Sequence, residues 1–372
     1  MKRDIIVVGG YGHVGGQICE QLAIQFPGRV YAAGRSLARA EQFCSRLGGK
    51  VKPLRIAVGE QPQTEQLKDA KLVVMCLDQT DTSFARACLT AGVDYVDVSA
   101  NGTFFEAMEQ LKEENAGLNS TAVLSVGLAP GLTNLLALKA FQSMEEISRI
   151  EIAIMLGLGD AHGKAAIEWT VQSLAGSFAI TENGSTRRVS SFTEGIYTDF
   201  GFALGERKTY RFPFSDQQTL VRTLKVPTIS TRLCFDSRMV TGVMALLKAA
   251  GFGRLLGVKR IKKWTIQAFS KLRFGSARYA VKVAGYGKKA GVDAIVEYGL
   301  QGTKEAEVTA MTAAAVAKMM YESKLPRGIY HVEQLFELDV CDQHLLLQLK
   351  GEKLESSRSL IANIESWSRI QG

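Results

Sequence analysis

Two periods of hydrophobicity alternate along the first third of the chain. Ile5, Ile6, Val7 and Val8 are four consecutive β-branched residues, the pattern of a strand buried on both faces of a parallel sheet. Val14, Ile18 and Leu22 then recur every fourth residue, which predicts a helix. The exchange continues with a strand over 29–33, a helix over 37–47 stopped by Gly48-Gly49, and a strand over 51–57. A short helix over 64–68, a strand over 71–77, a helix over 82–91 and a strand over 94–99 follow, then a helix over 104–116 and a strand over 121–126. Strict alternation of this kind predicts a parallel sheet wound on both sides, an α/β domain over residues 1–130.

Beyond residue 130 the pattern changes. A helix is expected over 132–141, an alternating strand over 151–156, a helix over 164–175, and strands over 187–189, 207–212 and 293–300. An alanine-rich helix over 307–321 precedes the break at Pro326-Arg327-Gly328. The expectation is a second, mixed α+β domain over 131–322 and a closing segment over 323–372. A length of 372 residues suits two domains. With 46% hydrophobic and 22% charged residues the chain has material for sizeable cores. No run of about 18 uncharged apolar residues occurs, and the apolar run behind Met1-Lys2-Arg3 is too short for a secretory signal, so a cytoplasmic enzyme is expected. The six cysteines are scattered without a C-x-x-C, which indicates neither a metal site nor a disulfide framework.

The chemistry begins at the first strand-to-helix turn. Gly10, Gly12 and Gly15 stand in G-x-G-x-x-G spacing directly after a strand and opening a helix, the context of a Rossmann dinucleotide-binding turn. Gly10 is expected to turn with positive φ, Gly12 to leave room for a pyrophosphate, and Gly15 to let helix and strand pack closely. The backbone of Gly10, Tyr11, Gly12, His13, Val14 and Gly15 would then cradle phosphates at a helix N-terminus. The competing reading is a glycine turn without a ligand. The second strand ends in Gly34-Arg35-Ser36, where an NAD-binding fold usually carries an acid for the ribose 2′-hydroxyl. A glycine, a guanidinium and a hydroxyl suit a 2′-phosphate instead, which predicts NADP held by Arg35 and Ser36. A solvated loop arginine is the alternative. Cys76 and Leu77 end the fourth strand at the edge where such sheets bind their ligand, and Asp97 and Ser99 end the fifth, where a nicotinamide would sit or where they would merely cap the next segment.

Hydride transfer needs a proton source beside the cofactor. Asp97 and His162 are the candidates, with His331 behind them; His162 lies in the loop 157–163, where a structural histidine is the competing reading. Gly131 and Asn134 open the helix after the sixth strand and are expected to hold a substrate oxygen or carboxylate. No metal ligand set is seen.

A net charge of +8 and a pI near 9.1 add one further feature. Arg254 to Lys289 carries eleven basic residues, with Leu255, Leu256, Val258, Ile261, Trp264, Ile266, Phe269 and Leu272 interleaved among them. The stretch looks like an amphipathic helix suited to a weak contact with an anionic membrane surface, against the alternative of a packed helix with solvated lysines. A small-molecule substrate is expected and nucleic acid is not.

The glycine turn, Tyr95-Val96-Asp97-Val98-Ser99, the segment Gly127-Leu128-Ala129-Pro130-Gly131-Leu132-Thr133-Asn134-Leu135-Leu136-Ala137, and Leu325-Pro326-Arg327-Gly328-Ile329-Tyr330-His331 together resemble the saccharopine dehydrogenase-like family. The resemblance implies an NADP-binding Rossmann domain, a catalytic and dimerisation domain over 131–322 inserted before a closing segment, 323–372, that returns to the first domain, a homodimer, and reduction of an imine formed between an amine and a carbonyl compound. One departure stands out. Ala129 occupies a position where relatives acting on amino-acid or polyamine imines often carry aspartate, so a cationic amine substrate does not carry over. A C=C or C=O reductase of a lipid-like substrate at a membrane surface, and a non-catalytic NADP-binding regulator, remain as competing functions.

Overall fold

The structure, a computed structural model, describes residues 2–60, 65–114, 117–160, 164–201, 204–251, 260, 263–267, 275–341, 344–351, 358–361 and 364–371. It divides into two compact units: residues 1–132 with 306–337 and 346–361, and residues 133–305 with 338–345 and 362–372.

The first unit is built as the alternation predicts. Its elements run β1 (Asp4–Val8), α1 (His13–Gln25), β2 (Val30–Gly34), α2 (Leu37–Cys44), β3 (Val51–Arg55), β4 (Ala70–Met75), α3 (Ser83–Thr90), β5 (Asp94–Asp97), α4 (Gly102–Glu113) and β6 (Thr121–Leu124). Ile5 to Val8 are all buried, as a strand covered on both faces requires. The short helix expected over 64–68 is not formed: residues 65–69 make turns, and residue 64 lies outside the described residues.

The second unit runs α5 (Thr133–Gln142), β7 (Glu146–Leu156), α6 (Lys164–Ala175), β8 (Ser177–Glu182), β9 (Ser185–Ser190), β10 (Ile196–Asp199), β11 (Glu206–Arg211), α7 (Asp216–Leu224), β12 (Ile229–Phe235), α8 (Arg238–Ala249), β13 (Arg278–Lys289) and β14 (Val292–Thr303). The chain then continues through α9 (Glu305–Glu322), β15 (Gly328–His331), α10 (Val332–Leu335), β16 (Phe336–Cys341), β17 (His344–Leu349), β18 (Arg358–Ile361) and β19 (Ile364–Gln371).

The first sheet has the order β15-β6-β5-β4-β1-β2-β3 with every pairing parallel. All seven strands therefore end on one edge, and β1, between β4 and β2, leads into the glycine turn. The second is a mixed sheet, order β10-β11-β12-β7-β13-β14-β19, with β12 and β7 parallel. α5 packs against β7, β13 and β14 and is buried nearly all round, which its run Leu135-Leu136-Ala137-Leu138 explains.

Three boundaries differ from the sequence reading. α9, placed by its sequence at the end of the second domain, packs with the first unit: the Tyr321 ring lies 4.5 Å from Phe26 and its hydroxyl donates to the Arg3 carbonyl at 2.9 Å. A parallel partner for β6 needs a crossover, and α9 supplies it before β15. The closing segment 323–372 returns to the first sheet only through β15, while β19 pairs with β14 in the second. Finally, Arg278–Lys289, taken with the basic amphipathic helix, is a strand paired on both sides. Its true period is two, with Tyr279, Val281 and Val283 buried on one face, and Lys282 on the other in an ion pair with Glu297 at 2.6 Å. Among the described residues no helix is long and apolar enough to cross a membrane.

Candidate active site

The turn after β1 is shaped by close contacts. Gly9, not Gly10, takes positive φ (83°). Gly10 is required sterically instead, because a Cβ there would lie 2.6 Å from the Val7 carbonyl oxygen and 2.8 Å from Ala32 Cα. A Cβ at Gly15 would lie 2.3 Å from the Gly9 carbonyl oxygen, so α1 starts against the turn with no room for a side chain. Gly12 is the N-cap of α1 and makes no side-chain capping bond; a Cβ there would meet only the Gly9 oxygen, at 3.0 Å. The first amides of α1 are thus left without a side-chain acceptor at an open face, with His13 exposed and Val14 half-buried, the form of an anion cradle.

Tyr11 ties this turn to the end of β2. Its hydroxyl accepts the Ser36 N–H at 3.1 Å, and its ring fills the space beside Gly34, where a Cβ would fall 2.5 Å from Tyr11 Oη. Gly34 therefore makes room for the Tyr11 ring, a reason the sequence alone did not give. Ser36 caps α2, accepting the Arg39 N–H at 3.4 Å, and the Arg39 guanidinium stands 5.2 Å from the centre of the Tyr11 ring. Arg35 is exposed beside them. Arg39 consequently borders the Tyr11 ring, and, one helical turn beyond Ser36, it escaped the sequence reading.

The other predicted residues spread along the same sheet edge. Cys76 donates its amide to the Val8 carbonyl at 2.9 Å, and the Leu77 side chain lies against Gly9, whose Cβ would be 3.0 Å from Leu77 Cδ2. Asp97 is fully buried at the end of β5. Its Oδ1 accepts the Ser99 amide at 2.9 Å and the Ser99 hydroxyl; its Oδ2 accepts the Tyr95 hydroxyl at 3.0 Å and Gln79 Nε2 at 3.4 Å. Burial pushes the Asp97 carboxyl up to about 6, against the pull of the Ser99 and Tyr95 donors. Gln79 Nε2 also donates to Tyr95 Oη, and Gln79 Oε1 is buried with no partner among the described residues. Tyr95 is legible in retrospect, since it shares a strand face with Asp97; Gln79, in an irregular loop, leaves no periodic signal.

A second buried chain crosses the edge at β6. Ser125, at φ 60°, is hydrogen-bonded to His331 Nδ1 at 2.8 Å, and His331 Nε2 to Glu109 Oε1 at 2.8 Å. The Glu109 carboxylate suits the proton on Nε2, leaving Nδ1 to accept from the serine. The segment 128–132 is an irregular turn with a cis Ala129–Pro130 bond and Gly131 at φ 139°. Asn134 is buried in the first turn of α5, 3.5 Å from Thr133 Oγ1. His162 lies outside the described residues. Among the described residues no cluster of three metal-ligating side chains is found.

Residues 5–123 match the model of the saccharopine dehydrogenase NADP-binding domain. Carboxyaminopropylagmatine dehydrogenase from Synechocystis is 25% identical over 277 residues, covering 68% of this chain and 67% of that protein. Apo saccharopine dehydrogenase (L-Glu forming) from Saccharomyces cerevisiae superposes with a TM-score of 0.62 at 14% identity, over 89% of this chain and 95% of that one. Homospermidine synthase from Legionella pneumophila, solved with NAD, gives 0.61 at 12% identity, over 90% and 87%. Both structures share the fold. The chain is an NADP-dependent oxidoreductase. Over residues 5–123 it is similar to the NADP-binding domain of saccharopine dehydrogenases.

Proposed function

We propose that this oxidoreductase reduces a C=N bond formed between an amine and a carbonyl compound, with NADPH as hydride donor. The observation that carries the cofactor half is the open, uncapped N-terminus of α1 beside the cationic end of β2. The imine half is supported by the likeness to proteins named for dehydrogenating saccharopine and carboxyaminopropylagmatine.

The cradle from Gly10 to Gly15 would hold the pyrophosphate through backbone amides, while Arg35 and Ser36, with Arg39 beside them, would hold the 2′-phosphate. Leu77 and the backbone at Cys76 would line the path across β4. When bound, the cofactor supplies the hydride. Asp97 is too deeply buried to meet a substrate directly, so its proposed role is to hold the Ser99 hydroxyl at the sheet edge and to set its hydrogen-bond direction. Gly131 and Asn134 are proposed to receive the substrate, and His162 remains a candidate proton donor. Ala129 removes the carboxylate that would favour a cationic amine.

The test is cofactor consumption. NADPH oxidation should require an amine and a 2-oxo acid together; oxidation with the carbonyl compound alone would contradict the C=N reading and favour a carbonyl reductase.

A further inference from the structure

We propose that the Tyr11 side chain determines cofactor specificity: it commits the end of β2 to a phosphate on the cofactor ribose and shuts out the carboxylate that would recognise a bare 2′-hydroxyl. This role rests on the 2′-phosphate lying at that end of β2, as proposed above, and is independent of the bond that is reduced. In a dinucleotide fold selective for NAD, an acid near the end of the second strand takes a hydrogen bond from the ribose. Here the space at the strand end is already filled. A Cβ on Gly34 would lie 2.5 Å from Tyr11 Oη and 2.7 Å from both Cε1 and Cζ of the same ring. No side chain, acidic or otherwise, enters at position 34 until the ring leaves.

The ring that closes this space also gathers donors around it. Tyr11 Oη accepts the Ser36 N–H at 3.1 Å, which fixes the ring across the end of β2, and Ser36 Oγ accepts the Arg39 N–H at 3.4 Å. Each oxygen keeps a hydroxyl hydrogen to give, and that of Tyr11 finds no acceptor among the described residues. The Arg39 guanidinium, 5.2 Å from the ring centre, only donates. Its cation–π contact holds a long, exposed side chain near the strand end before any ligand arrives, which lowers the entropy lost on binding. A phosphate, rich in acceptor oxygens and negatively charged, satisfies such a set. A ribose hydroxyl must also donate, and the filled space at Gly34 denies it the carboxylate that would accept.

Fluorescence titration with NADPH and with NADH tests this without any substrate. Tyr11→Phe keeps the ring and removes the hydroxyl; NADPH should weaken about tenfold, as for a lost hydrogen bond to a charged group, and NADH about twofold or less. Tyr11→Ala should weaken NADPH further, because the seat of Arg39 goes with the ring. Gly34→Ala, which expels the ring, should match Tyr11→Ala. Combining Tyr11→Ala with Gly34→Ala should cost no more than Tyr11→Ala alone, since groups in contact do not add. Circular dichroism checks that each variant is folded. If Arg35→Ala lowers the preference for NADPH over NADH while Tyr11→Phe and Tyr11→Ala leave it as in the wild type, the role of Tyr11 is overturned. If Arg35→Ala leaves the preference unchanged as well, the position of the 2′-phosphate falls with it. Losses from Tyr11→Ala and Gly34→Ala that multiply in the double variant would overturn the steric link between the two positions.

Discussion

Arg35 is the residue proposed to set the cofactor preference, and its consequences are measurable at one side chain. Arg35→Ala should weaken NADPH roughly tenfold to a hundredfold and NADH hardly at all, the range expected for a charge-assisted pair, as read by titration of cofactor fluorescence. Equal loss for both would remove the 2′-phosphate assignment. Asp97 titrates visibly. Its folded pKa, about 6, lies above the unfolded value of 3.8, so the stability it permits is full below about pH 4 and is lost as pH rises through 6, a difference worth roughly 3 kcal/mol. Asp97→Asn carries no such titration. Denaturant unfolding should therefore show the variant gaining on the wild type between about pH 4 and 7, and a gap constant with pH would contradict the buried, bonded carboxylate. Asp97, Ser99 and the glycines were legible because strand ends and turn spacings are local patterns. Gly9 and Gly34 were not, since the first depends on the path of the turn and the second on where the Tyr11 ring comes to rest.

The strand, turn and helix from β1 to α1 form the element on which the site rests. Gly15→Ala places a Cβ 2.3 Å from a backbone oxygen that no rotamer can move, so helix and strand must part. A loss of about 1–3 kcal/mol is expected in thermal or denaturant unfolding, with weaker binding of both nucleotides. An unfolding midpoint equal to that of the wild type would show that the seam is looser than these distances require. Periodicity found nearly every element of the first unit. It misassigned Arg278–Lys289 because lysines interleaved with apolar residues satisfy a strand and an amphipathic helix alike over a short window. It could not show α9 as the crossover to β15, because an alanine-rich helix carries no mark of the sheet it covers.

Across the whole molecule, the order of strands was the least legible feature. The expected return of the closing segment was half of the outcome: β15 completes the first sheet, whereas β19 closes the second by pairing with β14 and setting Trp367 against Gly299. Removing residues 364–372 should bare the β14 edge, lower the unfolding midpoint of the second unit by several degrees, and promote association through the open strand. A midpoint within error of the full chain would contradict the role given to β19. The central claim concerns the bond that is reduced, and isotope transfer addresses it directly. With NADPH deuterated at C4 of the nicotinamide, an amine and a 2-oxo acid, mass spectrometry should find a secondary amine carrying one deuterium on the former carbonyl carbon. Deuterium in an alcohol, or in a saturated chain without nitrogen, would contradict C=N reduction.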